Sequence, residues 1–205
     1  MTGVRGARAL VDVSRLPTAT FGPRDLMWWG TAGFMVIEGT TLFICAASYF
    51  YLRFNFETWP PQHTLRPSLF WPTVQVALMA LSNLPNRWLQ RSARALDLAG
   101  VRRWVVLEAI LGVVFVALRW QEFLSLNVRW DANAYGSIAW ATLGFHATLL
   151  VLQAAETLVF VGFLFSDRIE EKHFSDAYDS AFYWYFMTGS WIVLYVVVFL
   201  SPRFM

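Results

Sequence analysis

YGSIAWATLGFHATLLVLQAAETLVFVGFLF, residues 135–165, decides the fold. Glu156 is its only formally charged residue. A bilayer-spanning helix needs about 20 mostly apolar residues, and a membrane strand only ~10 alternating ones. The stretch is therefore a helix long enough to cross a membrane. Four more segments share its character: Leu26 to Leu52, Ser68 to Leu89, Val101 to Leu126, and Ser180 to Leu200. The second is the most polar, with Pro72 and Pro85 flanking Gln75, Ser82 and Asn83. Trp59-Pro60-Pro61 marks the loop before it. The expected fold is all-α: a bundle of five transmembrane helices over residues 26–205, preceded by a polar tail over residues 1–25.

Composition agrees. Of 205 residues, 57% are hydrophobic and 18% aromatic, with 11 Trp. Soluble domains sit nearer 45–50% apolar. Trp and Tyr favour the membrane–water interface. No internal repeat, low-complexity tract or cleavable signal pattern is visible, and the length suits one domain.

Loop charge sets the expected orientation, because Lys and Arg accumulate on the cytoplasmic side. One side collects Arg5, Arg8, Arg15, Arg24, Arg87, Arg91, Arg94, Arg102, Arg103, Arg168 and Lys172. The other has Arg53, Arg66, Arg129 and Arg203. The N-terminus is expected in the cytoplasm and the C-terminus outside.

A charge inside a membrane costs roughly 2.5–3.5 kcal/mol on insertion scales, so each such residue invites a role. Glu38 lies mid-helix, with Thr31, Thr41 and Cys45 on the same face at helical spacing. Two roles are open for it: a protonatable or lipid-contacting carboxyl, or a hydrogen-bonded carboxyl joining helices. In the fourth segment Thr142, His146, Gln153 and Thr157 share a side, with Glu156 at its edge. His146 is either a metal ligand or, favoured here, an interface histidine. Arg119 and Glu122, three apart beside Gln121, can pair on one face near the external interface, as an anchor, as part of an interhelical bond or as a local ion pair. The run Phe182 to Phe186 is expected to open the last helix as a cytoplasmic aromatic belt.

The metal-ligand inventory is thin. Cys45 is the single cysteine, and by this topology His63 is external, His146 lies within the membrane and His173 is cytoplasmic. Haem and copper sites draw on His and Cys. No redox centre is expected within this chain. There is no phosphate-binding glycine loop, no Ser/His/Asp set and no nucleic-acid module.

Several segments, taken together, resemble subunit III of haem-copper cytochrome c oxidases. They are Trp29-Gly30 through Glu38 to Phe50-Tyr51, and Leu111-Gly112 through Gln121-Glu122-Phe123. Tyr135-Gly136-Ser137 with Gly144-Phe145-His146 follows, then Tyr183-Trp184 and Trp191 ending at Leu194-Tyr195. The likeness runs from about residue 27 to 200. Departures are Leu149 and Tyr185 where that family has His, Thr188 where it has Asp, and Tyr178 (beside Asp179) where it has Glu. Longer members have two further N-terminal helices that help form a lipid-holding cleft.

The resemblance implies a short five-helix bacterial form, multi-pass in the inner membrane. It would be an accessory, non-catalytic subunit of a proton-translocating oxidase, supporting assembly, lipid binding and proton uptake. Haem and copper would lie in partner subunits I and II, with cytochrome c as donor and phospholipid bound. Glu38, His146, Glu122, Trp29, Tyr183 and Trp184 are the lipid- or proton-linked candidates. Two other roles are weighed: an accessory subunit of a nitric oxide reductase, and a small membrane transporter.

Overall fold

The computed structural model describes residues 19–166 and 169–204. Most of the expected N-terminal tail, with Arg5, Arg8 and Arg15, lies outside the described residues, as do Asp167 and Arg168. Five long helices make up the fold: α1 (Leu26–Phe54), α2 (Phe70–Arg94), α3 (Leu98–Ser125), α4 (Ala134–Leu164) and α5 (His173–Tyr195). A π-helical turn (Val196–Leu200) and a 3-10 turn (Ser201–Arg203) continue α5. No strand occurs among the described residues.

Several helix ends are met by identifiable chemistry. Asp25 caps α1, its carboxylate accepting from Met27 N–H at 3.2 Å. Asn133 caps α4 by accepting from Gly136 N–H at 2.9 Å. Arg102 donates to the Leu164 carbonyl at 2.8 Å, satisfying an orphan acceptor at the C-terminus of α4. The α2–α3 connection closes with Leu96 N–H on Ala93 O and Asp97 N–H on Ser92 O, both 3.0 Å. That is the paired bond of a left-handed helix end, with Leu96 at φ +54° where glycine is usual.

α2 and α3 form an antiparallel hairpin that packs on α5 and α4 respectively, while α1 lies against α4 and α5. α3 approaches α4 closely at Gly112, where a Cβ would sit 3.3 Å from that of Ala154. At the end of the bundle holding the α1 C-terminus, Trp59 folds in from the loop. It packs edge-to-face on Tyr49 at 5.4 Å and Tyr135 at 5.2 Å. A loop residue expected to mark only a turn is thus core, 4% exposed. Ser68 N–H to Ser125 O at 2.7 Å, and Asn127 to the Arg66 carbonyl at 3.0 Å, tie this loop to the α3–α4 connection.

Three stretches are long and apolar enough to cross a membrane: Leu26–Phe54, Ala134–Leu164 and His173–Arg203. α2 and α3 have spanning length but carry Asn86, Arg87 and Gln90, and Arg102, Glu108 and Arg119, respectively. Many of these groups face inward: Gln75, Asn86, Glu108 and Glu122 are at most 1% exposed. The apolar outer surface is widest on α1, where Val36, Ile37 and Phe43 are about two-thirds exposed or more.

The last helix corrects the sequence expectation. It begins at His173, not Ser180. Phe174, Ala177, Ala181 and Trp184 form its inward stripe at helical spacing. The run Phe182 to Phe186 therefore lies within the helix and does not open it as an interfacial belt. Tyr183 and Trp184 are buried core residues.

Candidate functional site

Glu38 points into the bundle. Leu42 and Tyr49, four and eleven residues on, are buried with it, while its neighbours Val36 and Ile37 are exposed. The Tyr183 hydroxyl of α5 donates to Glu38 Oε2 at 2.6 Å, with both residues buried. The structure thus joins two candidates that the sequence places 145 positions apart. Thr31, Thr41 and Cys45 are half-buried on the same face, and Thr41 donates locally to the Ile37 carbonyl at 3.2 Å.

Glu38 and Tyr183 line a cleft of about 850 Å³. Its walls are the N-terminal half of α1, the C-terminal half of α4 and the N-terminal half of α5. Phe34, Leu152, Val159, Phe160 and Phe163 supply apolar surface. Glu156, Asp176 and Asp179 join Glu38 as acids on the lining, and no Arg or Lys is among the lining residues. Asp179 is 4% exposed, and neither of its oxygens has a hydrogen-bond partner among the described residues. Gln153 donates to Thr157 Oγ1 at 3.3 Å and to Ser180 Oγ at 3.4 Å, and its carbonyl oxygen has no partner among the described residues.

A second polar centre is sealed between α3, α4 and α5. Arg119 Nη1 lies 2.6 Å from Glu122 Oε2. Its Nη2 donates to His146 Nδ1 at 3.1 Å, and its guanidinium sits 3.8 Å over the Trp191 ring. Because Arg can only donate, Nδ1 is the acceptor and Nε2 carries the ring proton. Nε2 faces the Met187 carbonyl at 3.3 Å and Ser190 Oγ at 3.2 Å. Both ring nitrogens of His146 are thus engaged across the helix interfaces. Arg119 and Glu122 are 2% and 0% exposed, and through His146 the pair makes an interhelical bond. Among the described residues no group of three or more His, Cys, Asp or Glu could hold a metal ion.

Trp184 donates to Ser82 Oγ at 2.8 Å, locking α5 to α2. Trp29 stands apart from the cleft. It is 58% exposed, and its indole donates to the Pro23 carbonyl at 3.1 Å. Sequence reasoning missed Asp176 and Asp179 because it placed them in a loop. Their spacings of seven and four from Tyr183 are a helical signal that an earlier start for α5 makes visible. It also passed over Glu108, which is 1% exposed with neither oxygen hydrogen-bonded among the described residues.

No protein-family model matches the chain. Curated relatives cover nearly all of it. It is 26% identical over 184 residues to cytochrome c oxidase subunit 3 of Synechocystis sp., covering 87% of this chain and 77% of that protein. It is 26% identical over 185 residues to cytochrome c oxidase subunit 3 of Thermostichus vulcanus, covering 88% of this chain and 90% of the relative. A shorter match, 32% over 111 residues, is to cytochrome c oxidase subunit 3 of Corynebacterium diphtheriae, covering 50% and 52%. Almost end to end, then, this all-helical chain is similar to cytochrome c oxidase subunit 3 proteins, and it carries Trp29-Gly30, Glu38, Tyr135-Gly136-Ser137 and Gly144-Phe145-His146, the elements of the resemblance, in order.

Proposed function

We propose that this chain is a non-redox accessory subunit of a haem-copper terminal oxidase in a bacterial inner membrane. Its oxygen chemistry resides in partner subunits I and II, which bear the haem and copper, and cytochrome c supplies electrons. The observation that carries this is the near full-length alignment with cytochrome c oxidase subunit 3 proteins. Those relatives favour the oxidase over a nitric oxide reductase partner, and no repeat or broken-helix pair favours a transporter.

The five helices are five membrane spans with the N-terminus cytoplasmic. Arg24, Arg87, Arg91, Arg94, Arg102, Arg103 and Lys172 gather at the end of the bundle where α1 begins, against Arg53, Arg66, Arg129 and Arg203 at the other. This supports the orientation. The cleft lined by Glu38 and Tyr183 opens near the basic end. It is the place where this subunit meets lipid and influences proton uptake. Glu122, His146 and Trp184 hold the helices around it, and Trp29 sits at the membrane surface.

The test is purification through a tag on this chain. Co-elution of haem and copper, seen in the visible spectrum and by metal analysis, is the expected result. Recovery with a nitric oxide reductase alone overturns the assignment. Glu38→Gln should leave that assembly intact while lowering bound phospholipid or shortening catalytic lifetime in turnover. Unchanged lipid and lifetime in the variant would remove Glu38 from the proposed role.

A further inference from the structure

The seam between α2 and α5 carries two adjoining depressions that share Arg87. The larger, about 420 Å³, lies between Ala80, Asn83 and Leu84 of α2 and Thr188, Gly189 and Ile192 of α5. The smaller, about 210 Å³, continues toward the C-terminus of α2 along Arg87, Gln90, Arg91 and Arg94. At ~100° per residue, Thr188, Gly189 and Ile192 centre about half a turn from Asp176, Asp179 and Tyr183, so this groove is on the opposite side of α5 from the acidic cleft. Its chemistry does not suit hydrocarbon. Thr188 is 5% exposed, and its Oγ1 has no hydrogen-bond partner among the described residues. Asn83 spends its amide N–H groups on the Met79 and Ala80 carbonyls, and its Oδ1 has no partner there either. Within a bilayer, polar atoms of this kind are satisfied by a neighbouring helix. Gly189 and Ala80 are exposed, and a Cβ added to Gly189 meets no described atom within 4 Å. Glycine weakens a helix, and no contact within the chain requires it here. With Ala80 across the seam it leaves a floor low enough for a second backbone to approach closely. At the other end, Arg87, Arg91 and Arg94 recur at helical spacing with no acid on the lining, and none is paired with a carboxylate among the described residues.

We propose that a transmembrane helix of another polypeptide lies in this α2/α5 groove. Its small residues face Gly189 and Ala80, a hydroxyl or amide donor reaches Asn83 Oδ1 and Thr188, and an Asp or Glu at its cytoplasmic end meets Arg87 and Arg91. Carboxylates match the guanidinium fork in charge and in shape. An acyl chain would fill the apolar part of the groove but brings no donor to Asn83 or Thr188. A second copy of this chain, packed through the same face, would set the arginines against one another. The inference rests on the five-span arrangement proposed above and not on the oxidase assignment.

Arg91→Lys keeps the charge at the rim and supplies an amine. The tagged chain carrying it is treated in native membranes with a carbodiimide, which joins that amine to a carboxylate in contact with it. The complex is then purified and the joined peptides are identified by mass spectrometry. The expected product is a crosslink to an Asp or Glu flanking a transmembrane segment of another polypeptide, one that carries Gly, Ala or Ser at helical spacing. Gly189→Leu should lower the amount of that polypeptide in the purified complex by about tenfold, while Gly189→Ala retains it. Arg91→Glu, on an exposed side chain, tests the same contact without altering the packing of α5, and should lower it several-fold. Absence of any crosslink overturns the proposal, and so does an unchanged polypeptide content in both Gly189→Leu and Arg91→Glu. A crosslink to a second copy of this chain overturns it as well. Phospholipid that is retained by the wild type and lost from Gly189→Leu, with no crosslink, gives the groove to lipid and also overturns it. Haem and copper co-elution without a crosslinked helix fails this inference alone. A crosslinked helix without haem or copper fails the oxidase reading and leaves this one standing.

Discussion

At Arg119 a guanidinium is taken wholly out of water and met on three sides, by Glu122, by His146 and by the Trp191 ring. Desolvating such a pair costs several kcal/mol per ion, which the close contacts offset only while both partners stay. Glu122→Gln should therefore destabilise the purified protein by about 3 kcal/mol, seen as a lowered thermal melt of its helical signal. Replacing both charges, Arg119→Met with Glu122→Leu, should recover at least half of that loss, because no uncompensated charge stays buried. The pairing itself was legible in the sequence from the spacing of three. The third member was not, because His146 reaches Arg119 from another helix and no local pattern encodes that meeting. Glu38 has the same history: its inward face could be read from its flanks, but its partner Tyr183 could not.

Helices α1 and α4 were readable nearly to their ends, since a membrane span declares itself by length and apolarity. α5 was not. Its first turns, His173 to Asp179, are polar enough to resemble a loop, and the buried Phe174 and Ala177 that make them helical are few. Two junctions make sharper predictions. Leu96 holds a left-handed backbone conformation at the end of α2, which costs a non-glycine residue roughly 1–2 kcal/mol. Part of that is returned as unfolded-chain entropy when glycine is introduced, so Leu96→Gly should raise stability by about 0.5–1 kcal/mol. A lowered melting temperature would contradict this. Gly136 is the reverse case. A Cβ there would strike the Arg129 carbonyl and the Val128 side chain of the preceding loop. Gly136→Ala should lower stability by about 1–3 kcal/mol, and proteolysis should then open the α3–α4 loop first. This contact gives the Tyr-Gly-Ser element its physical sense: Tyr135 fills the core, Gly136 admits the loop, and Ser137 ties it by donating to the Trp130 carbonyl at 2.8 Å.

The whole molecule hides its polarity inward, and this is why α2 and α3 fall short of the apolarity of the other three. Their Gln75, Asn86, Glu108 and Arg119 are shielded by neighbouring helices. Five spans can be tested by labelling with a membrane-impermeant maleimide in a Cys45→Ser background. Asp131→Cys should react in intact cells, and Leu96→Cys only after permeabilisation. The opposite pattern would invert the topology, and labelling of both from one side would remove α3 as a span.

The position of α1 also sets a timetable for biosynthesis. It leaves the ribosome before the other helices yet packs on α4 and α5, the last to be made. At ~5–20 residues per second, the interval from Phe54 to Trp191 is on the order of ten seconds. During it α2 and α3 can close as a hairpin, while Glu38 waits in or near the membrane without the tyrosine that will receive it. The subunit is therefore most dependent on a holding factor, the insertion machinery or a chaperone, in the window before α5 emerges. Chains stalled ahead of His173 should crosslink to that factor through α1 and not through the α2–α3 hairpin.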